Sequence, residues 1–98
     1  MQVVFTPLAR RHLNEVHDYI TNRASRDVAD DYVTKLVDFC DGLALAPYRG
    51  RKRDELAPGL RVIGFGRRIT VAFFIAQETV DIAGIYYGDR NYDADFKQ

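Results

Sequence analysis

The chain is 98 residues long and 47% hydrophobic, and its 14 Lys and Arg are balanced by 14 Asp and Glu. That length sets one domain, residues 1–98, burying roughly 60–65% of its unfolded surface, and so apolar a composition excludes disorder. No apolar stretch nears the ~18 residues of a membrane span. Met1–Pro7 lacks the charged start and apolar run of a signal peptide, and the lone Cys40 excludes an internal disulfide, so a reducing, cytoplasmic setting is expected.

Val3-Val4-Phe5 predicts a short opening strand. Thr6-Pro7 reads as an N-cap followed by proline at the first helical position, where the missing N–H costs nothing. Ala9, Leu13, Val16, Tyr19 and Ile20 fall at helical spacing and predict a helix from Leu8 to about Asn22. Ser25 caps a second helix, from Arg26 to about Ala44, with Asp27 in the first turn where the helix dipole favours negative charge. Its apolar stripe is Val28, Tyr32, Leu36, Phe39 and Leu43. Its polar face holds Asp27, Asp30, Asp31, Asp38 and Asp41, and Pro47 ends it. The short link between the helices predicts an antiparallel hairpin.

Residues 47–59 read as loop. Three apolar runs follow, Leu60–Phe65, Ile69–Ala76 and Thr79–Tyr87, parted by Gly66-Arg67-Arg68 and Gln77-Glu78, which is the pattern of an antiparallel meander. The middle run is apolar on both faces and should be the central strand, with the helical hairpin over one face. In the last run Val80 and Ile82 are expected on one face, Ala83 and Ile85 on the other. Gly88-Asp89-Arg90-Asn91 should end the sheet and Tyr92–Lys97 add a last helical turn. The expected class is α+β, β-α-α-β-β-β: an antiparallel sheet packed against an N-terminal α-helical hairpin.

Few residues offer chemistry. His12 and His17 stand about 140° apart on one helix, so they cannot share a metal, and both are expected at the surface or its boundary. No metal or cofactor is expected. Cys40 belongs to the apolar stripe. Gly64-Phe65-Gly66-Arg67 precedes no helix and serves a hairpin rather than a phosphate. The basic set is richer: seven of the twenty residues from Arg49 to Arg68 are Arg or Lys, against Asp54 and Glu55. With Arg90 after the last strand, these cations either form an ordinary solvated face or line one surface that binds phosphates or an acidic peptide. Tyr86, Tyr87 and Tyr92 are either stacking platforms or half-buried spacers.

Together these segments resemble the ParE branch of the RelE/ParE toxin superfamily, over nearly the whole chain. The resemblance rests on Thr6-Pro7-Leu8-Ala9, Asp18-Tyr19-Ile20, Pro47-Tyr48-Arg49-Gly50-Arg51, Arg53-Asp54-Glu55-Leu56, Pro58-Gly59-Leu60-Arg61 and Tyr87-Gly88-Asp89-Arg90. It implies the toxin half of a bacterial toxin–antitoxin pair. Such a toxin poisons DNA gyrase without catalysis and is held inactive, in a hetero-oligomer, by a ParD-type antitoxin, a ribbon-helix-helix protein with a helical C-terminal tail. RelE-type relatives instead cut mRNA on the ribosome, and fold alone does not decide between the two. For such a nuclease the resemblance places the acid–base set at Glu55, Arg68 and Tyr87, with Arg90 beside them. Tyrosine, with a reference pKa near ~10, is a poor proton shuttle at neutrality. The expected target-binding residues are Arg51, Arg53, Glu55, Arg61, Arg68 and Arg90. The expected antitoxin anchors are the aromatics Tyr19, Tyr32, Phe65 and Phe74.

Overall fold

The computed structural model describes residues 1–88 and 90–96. Asp89 of the expected sheet-ending turn and Lys97 of the expected last helical turn lie outside the described residues. The chain runs β1 (Gln2–Phe5), α1 (Pro7–Arg23), α2 (Arg26–Asp41) with a 3-10 turn at Gly42–Ala44, β2 (Arg51–Lys52), β3 (Arg61–Phe65), β4 (Ile69–Ile75), β5 (Thr79–Tyr87) and α3 (Asp93–Phe96). Both caps form as the sequence predicts. Thr6 Oγ1 accepts from the Ala9 N–H at 3.1 Å, and Ser25 Oγ accepts from the Val28 N–H at 3.1 Å. Among the described residues no helix is long and apolar enough to cross a membrane.

The strands form one sheet in the order β1-β5-β4-β3-β2, and β4 is central as expected. β3, β4 and β5 make the antiparallel meander. β1 departs from the antiparallel expectation by pairing parallel with β5, from Gln2 opposite Thr79 to Phe5 opposite Ile82, so the sheet is mixed. The helical hairpin carries the chain over the sheet to its far edge, and the third strand of the returning meander arrives parallel to β1. β2 is also new: within the expected loop, Arg51 and Lys52 pair with Val62 and Arg61.

The main core lies between the sheet and the two helices. Leu36, Cys40, Leu43, Val71, Phe73, Val80, Ile82 and Ile85 are all fully buried there. The burial pushes the Cys40 thiol up to about 12, so it packs as a small hydrophobe. Ile85 shares this core with Val80 and Ile82, contrary to the expected alternation. Ala72 pairs with Gly84 and Phe73 with Ile82, so Ala83 is an extra residue in β5. One inserted residue reverses every following side chain. The bulge thereby turns Gly84 and Tyr86 to the opposite face, where Leu60, Val62, Ala72 and Tyr86 form a second, smaller core under Tyr92 and Phe96. A Cβ on Gly84 would sit 2.5 Å from the Tyr86 hydroxyl oxygen, so only glycine lets that ring lie across the strand.

Candidate functional site

Phe65, Ile69 and Tyr87 sit opposite one another on three neighbouring strands, at the end of the sheet nearest the β3–β4 turn. The Phe65 ring packs edge-on to Tyr32 at 5.7 Å and beside Phe39 at 5.1 Å, and Tyr87 packs on Tyr19 at 4.9 Å. Tyr19, Tyr32 and Phe65 therefore belong to one aromatic seam between helices and sheet. Burial, then the neighbouring Tyr87, raises the Tyr32 phenol above its ordinary range. Phe74 does not join them; it lies on the opposite face against Phe96, with ring centres 6.2 Å apart. The seam opens at the Tyr19 end into a recess of about 260 Å³ lined by Glu15, Val16, Tyr19, Tyr87 and Arg90. An ion pair rims it, Arg90 Nη1 donating to Glu15 Oε1 at 3.0 Å.

The basic residues divide into two kinds. Arg53 is built into the fold. Its Nε donates to Glu55 Oε2 at 2.6 Å, its Nη1 donates to the Tyr92 hydroxyl, and Asp93 lies 3.8 Å away. The hydrogen bond with Glu55 raises the arginine and lowers the carboxylate from their ordinary values. Arg53 thus ties the β2 loop to the segment that closes the second core. Arg51 and Lys52 are exposed on the edge strand. Arg61 donates to the Tyr48 carbonyl at 3.1 Å and lies over the Tyr48 ring at 5.4 Å. Gly50, at φ +88°, turns the chain away from β3; a Cβ there would meet the Val62 carbonyl oxygen at 2.7 Å. Arg53 and Leu60 are joined by a backbone hydrogen bond, and by the alternation of an antiparallel ladder the amide and carbonyl of Gly64 point outward past Gly50. Beyond β2 this edge of β3 carries no strand among the described residues.

The four residues of the nuclease set do not converge. Glu55 follows Arg53, at the Leu60 end of β3. Tyr87 faces Ile69 and Phe65 at the other end, five residues or about 16 Å of strand away. Tyr87 also packs with the helix-side core, whereas the Arg53–Tyr92 contact holds the Glu55 loop toward the second core. Arg68 stands at the Tyr87 end, its carbonyl accepting from the Gly88 N–H at 2.8 Å, and Arg90 is held by Glu15 on α1. Among the described residues, no group of three or more His, Cys, Asp and Glu is placed to hold a metal.

One residue departs from expectation in burial. His12 is not at the surface: it is 2% exposed, and its Nδ1 accepts from the Ile85 N–H at 3.0 Å, so the neutral ring carries its proton on Nε2. β1 ends opposite Ile82, and the edge of β5 beyond it needs another partner, which α1 supplies. The ring also packs edge-on to Tyr86 at 4.9 Å. Its place three residues after Ala9 and four before Val16, inside the apolar stripe, was the signal for burial. His17 does sit near the surface, its Nε2 2.6 Å from Asp30 Oδ1.

Comparison with known proteins bears on this arrangement. Residues 3–92 match the sequence model of the family described as "ParE toxin of type II toxin-antitoxin system, parDE". The chain is 28% identical, over 90 residues covering 92% of each sequence, to proteins named Toxin ParE1 from two strains of Mycobacterium tuberculosis, CDC 1551 / Oshkosh and H37Rv. Its fold is similar to that of a chain of the chromosomal ParDE TA system from P. aeruginosa, with a TM-score of 0.79 at 20% identity, over 91% of this chain and 97% of that one.

Proposed function

From the premise that this chain belongs to the ParE toxin family of type II toxin–antitoxin systems, we propose that it acts by binding proteins: it inhibits DNA gyrase, and a ParD-type antitoxin neutralises it. The observation that carries binding over RNA cleavage is the dispersal of Glu55 and Tyr87 to opposite ends of the sheet. A proton donor and acceptor must both come within hydrogen-bond reach of one reacting centre; here Arg53 ties the Glu55 loop to the Leu60 end of β3, while strand registry sets Tyr87 opposite the other end.

For the antitoxin, the seam of Tyr19, Tyr32 and Phe65 is the anchoring surface, suited to the apolar face of a helix laid along α1 and α2. The unpaired edge at Gly64 lies beside it and accepts an extended segment that follows the helix. Phe74, on the opposite face, is the anchor that a single helix cannot reach together with the other three. Purified toxin, with and without the antitoxin, tests the reading in a gyrase supercoiling assay run beside a ribosome-dependent mRNA cleavage assay. Inhibition of supercoiling that the antitoxin relieves, with intact mRNA, is the expected result; cut mRNA and unaffected gyrase would transfer the function to the nuclease class.

A further inference from the structure

The loop between the 3-10 turn and β2 presents side chains that a folded protein ordinarily hides. Leu45 is 93% exposed and Tyr48, three residues later, is 72% exposed. An isolated exposed apolar residue needs no explanation, but these two share one short loop whose shape is fixed at several points. The Leu45 N–H donates to the Gly42 carbonyl, the Arg49 N–H to the Ala46 carbonyl, and Arg61 reaches from β3 to the Tyr48 carbonyl. Pro47 removes one backbone freedom between the two side chains, and Gly50 sets the exit. A large ring held out by a braced backbone loses little conformational freedom when it docks.

The charge around the loop is equally specific. Among the described residues, no carboxylate lies within ion-pairing distance of Arg49, Arg51, Lys52 or Arg61. The two nearby acids are occupied, Glu55 by Arg53 and Asp54 by the Gly59 N–H at 2.8 Å. Arg49 and Arg61 instead lie over rings, of Phe39 at 5.7 Å and Tyr48 at 5.4 Å. This leaves an apolar knuckle flanked by Arg49, by Arg61 and by Lys52, which pairs with Arg61 and so shares its face, in a chain whose total charge is zero. Arg51 pairs with Val62 and points to the other face.

We propose that the Leu45–Lys52 loop, with Arg61, is the surface by which this toxin grips its target, and that the complementary surface is an apolar pocket rimmed by carboxylates on a protein. The proposal rests on the reading of the chain as a gyrase-binding toxin and says which face does the binding. A protein partner fits better than a nucleic acid. Phosphate contacts would use Arg49, Lys52 and Arg61 but give Leu45 nothing to bury. The exposed acids of α2 would also repel a long polyanion, whereas a local pocket meets only the knuckle. Tyrosine and arginine at the centre of such a patch are the residue types that dominate protein interfaces. Arg53 and Arg90, held by partners of their own, lie outside it.

The test uses the full chain and purified gyrase. Leu45→Ser with Tyr48→Ala changes only exposed side chains; circular dichroism and antitoxin binding should match wild type. The concentration giving half-inhibition of supercoiling should rise about tenfold or more, the size of a lost interface anchor. Arg49→Glu with Lys52→Glu should slow association and flatten its salt dependence, while Arg26→Glu, a charge reversal on α2, should leave both unchanged. Wild-type inhibition that survives both double substitutions would overturn the assignment of the face and leave the gyrase reading standing. A wild-type chain that neither binds nor inhibits gyrase would overturn the two together. Binding to duplex DNA alone, lost with Tyr48→Ala, would overturn the choice of a protein partner.

Discussion

On the helix side of the sheet, Phe73, Ile82 and Ile85 lie under two helices of 17 and 16 residues. On the other side, Leu60, Val62 and Ala72 are covered by Tyr86, folded back across Gly84, and by a segment ending in a helix of four residues. The first face is closed by long elements whose apolar stripes were built for it. The second is closed by single side chains and by hydrogen bonds at its rim, Tyr86 to Asp95 at 2.8 Å and Arg53 to Tyr92. Cooperative stability should therefore reside in the first face, while the second opens locally at lower cost.

The largest effect should come from the first face. Phe73→Ala removes a fully buried ring from the main core and should cost about 3–5 kcal/mol, read as a lower denaturant midpoint with an unchanged slope. His12 joins the two faces through β5 and comes next. His12→Leu leaves the Ile85 N–H without an acceptor and should cost about 1–3 kcal/mol at pH 7.5. Its pH dependence also has a definite sign. Burial, then the charge of Arg90, lowers the folded-state value below the ordinary 6.5, against the weaker opposing pull of the Glu15 and Asp95 carboxylates. Between the folded value and 6.5 the unfolded chain binds a proton that the folded chain refuses. The stability His12 contributes is therefore complete above 6.5 and lost as pH falls through that window. Wild type should lose stability between pH 7 and 5 more steeply than His12→Leu; equal slopes would remove His12 from the account.

Phe96→Ala, on the second face, should cost only about 1–2 kcal/mol, since that ring is half-buried at the molecule's margin. Amide exchange should quicken in α3 and the Arg53 loop before it quickens in β4. A cost equal to that of Phe73→Ala, or exchange rising everywhere together, would break the distinction between the faces.

How much of this could be read from the sequence differs in the same way between the two faces. The helical stripes apart from Val28, which is exposed in the first turn of α2, both N-caps and the central place of β4 follow from periodicity and composition, because the first face is built from long regular elements. The second face depends on Ala83, whose extra place in β5 inverts Ile85 and Tyr86, and alternation counted along a strand carries no mark of an insertion. The parallel placing of β1 and the two-residue β2 are likewise settled by tertiary geometry rather than by local preference. For the site, the sequence assembled the basic residues but could not sort them. Arg51 and Arg53 look alike in the chain, yet one is exposed and the other holds Glu55, Asp93 and Tyr92. Charge is visible in a sequence; the partner that neutralises it is not.

The smallest expected effect is that of Tyr87→Phe, and it decides most about function. Tyr87 stands where the resemblance to RNA-cutting relatives would require a proton shuttle. Its ring lies in the aromatic seam against Tyr19, at the lip of the recess rimmed by Glu15 and Arg90. The substitution removes the hydroxyl and keeps that packing. A nuclease depending on the hydroxyl would lose about 10²–10⁴-fold in rate, and cells would tolerate the variant. A binder that uses the ring for contact loses at most one hydrogen bond, about 0.5–1.5 kcal/mol. Growth arrest on expression without antitoxin should therefore persist in Tyr87→Phe, and antitoxin should still rescue the cells. Ribosome-dependent mRNA cleavage by the wild type that disappears in Tyr87→Phe would mean that Tyr87, despite its distance from Glu55, works with a different acid or base, and that the seam is a catalytic surface instead of a docking one.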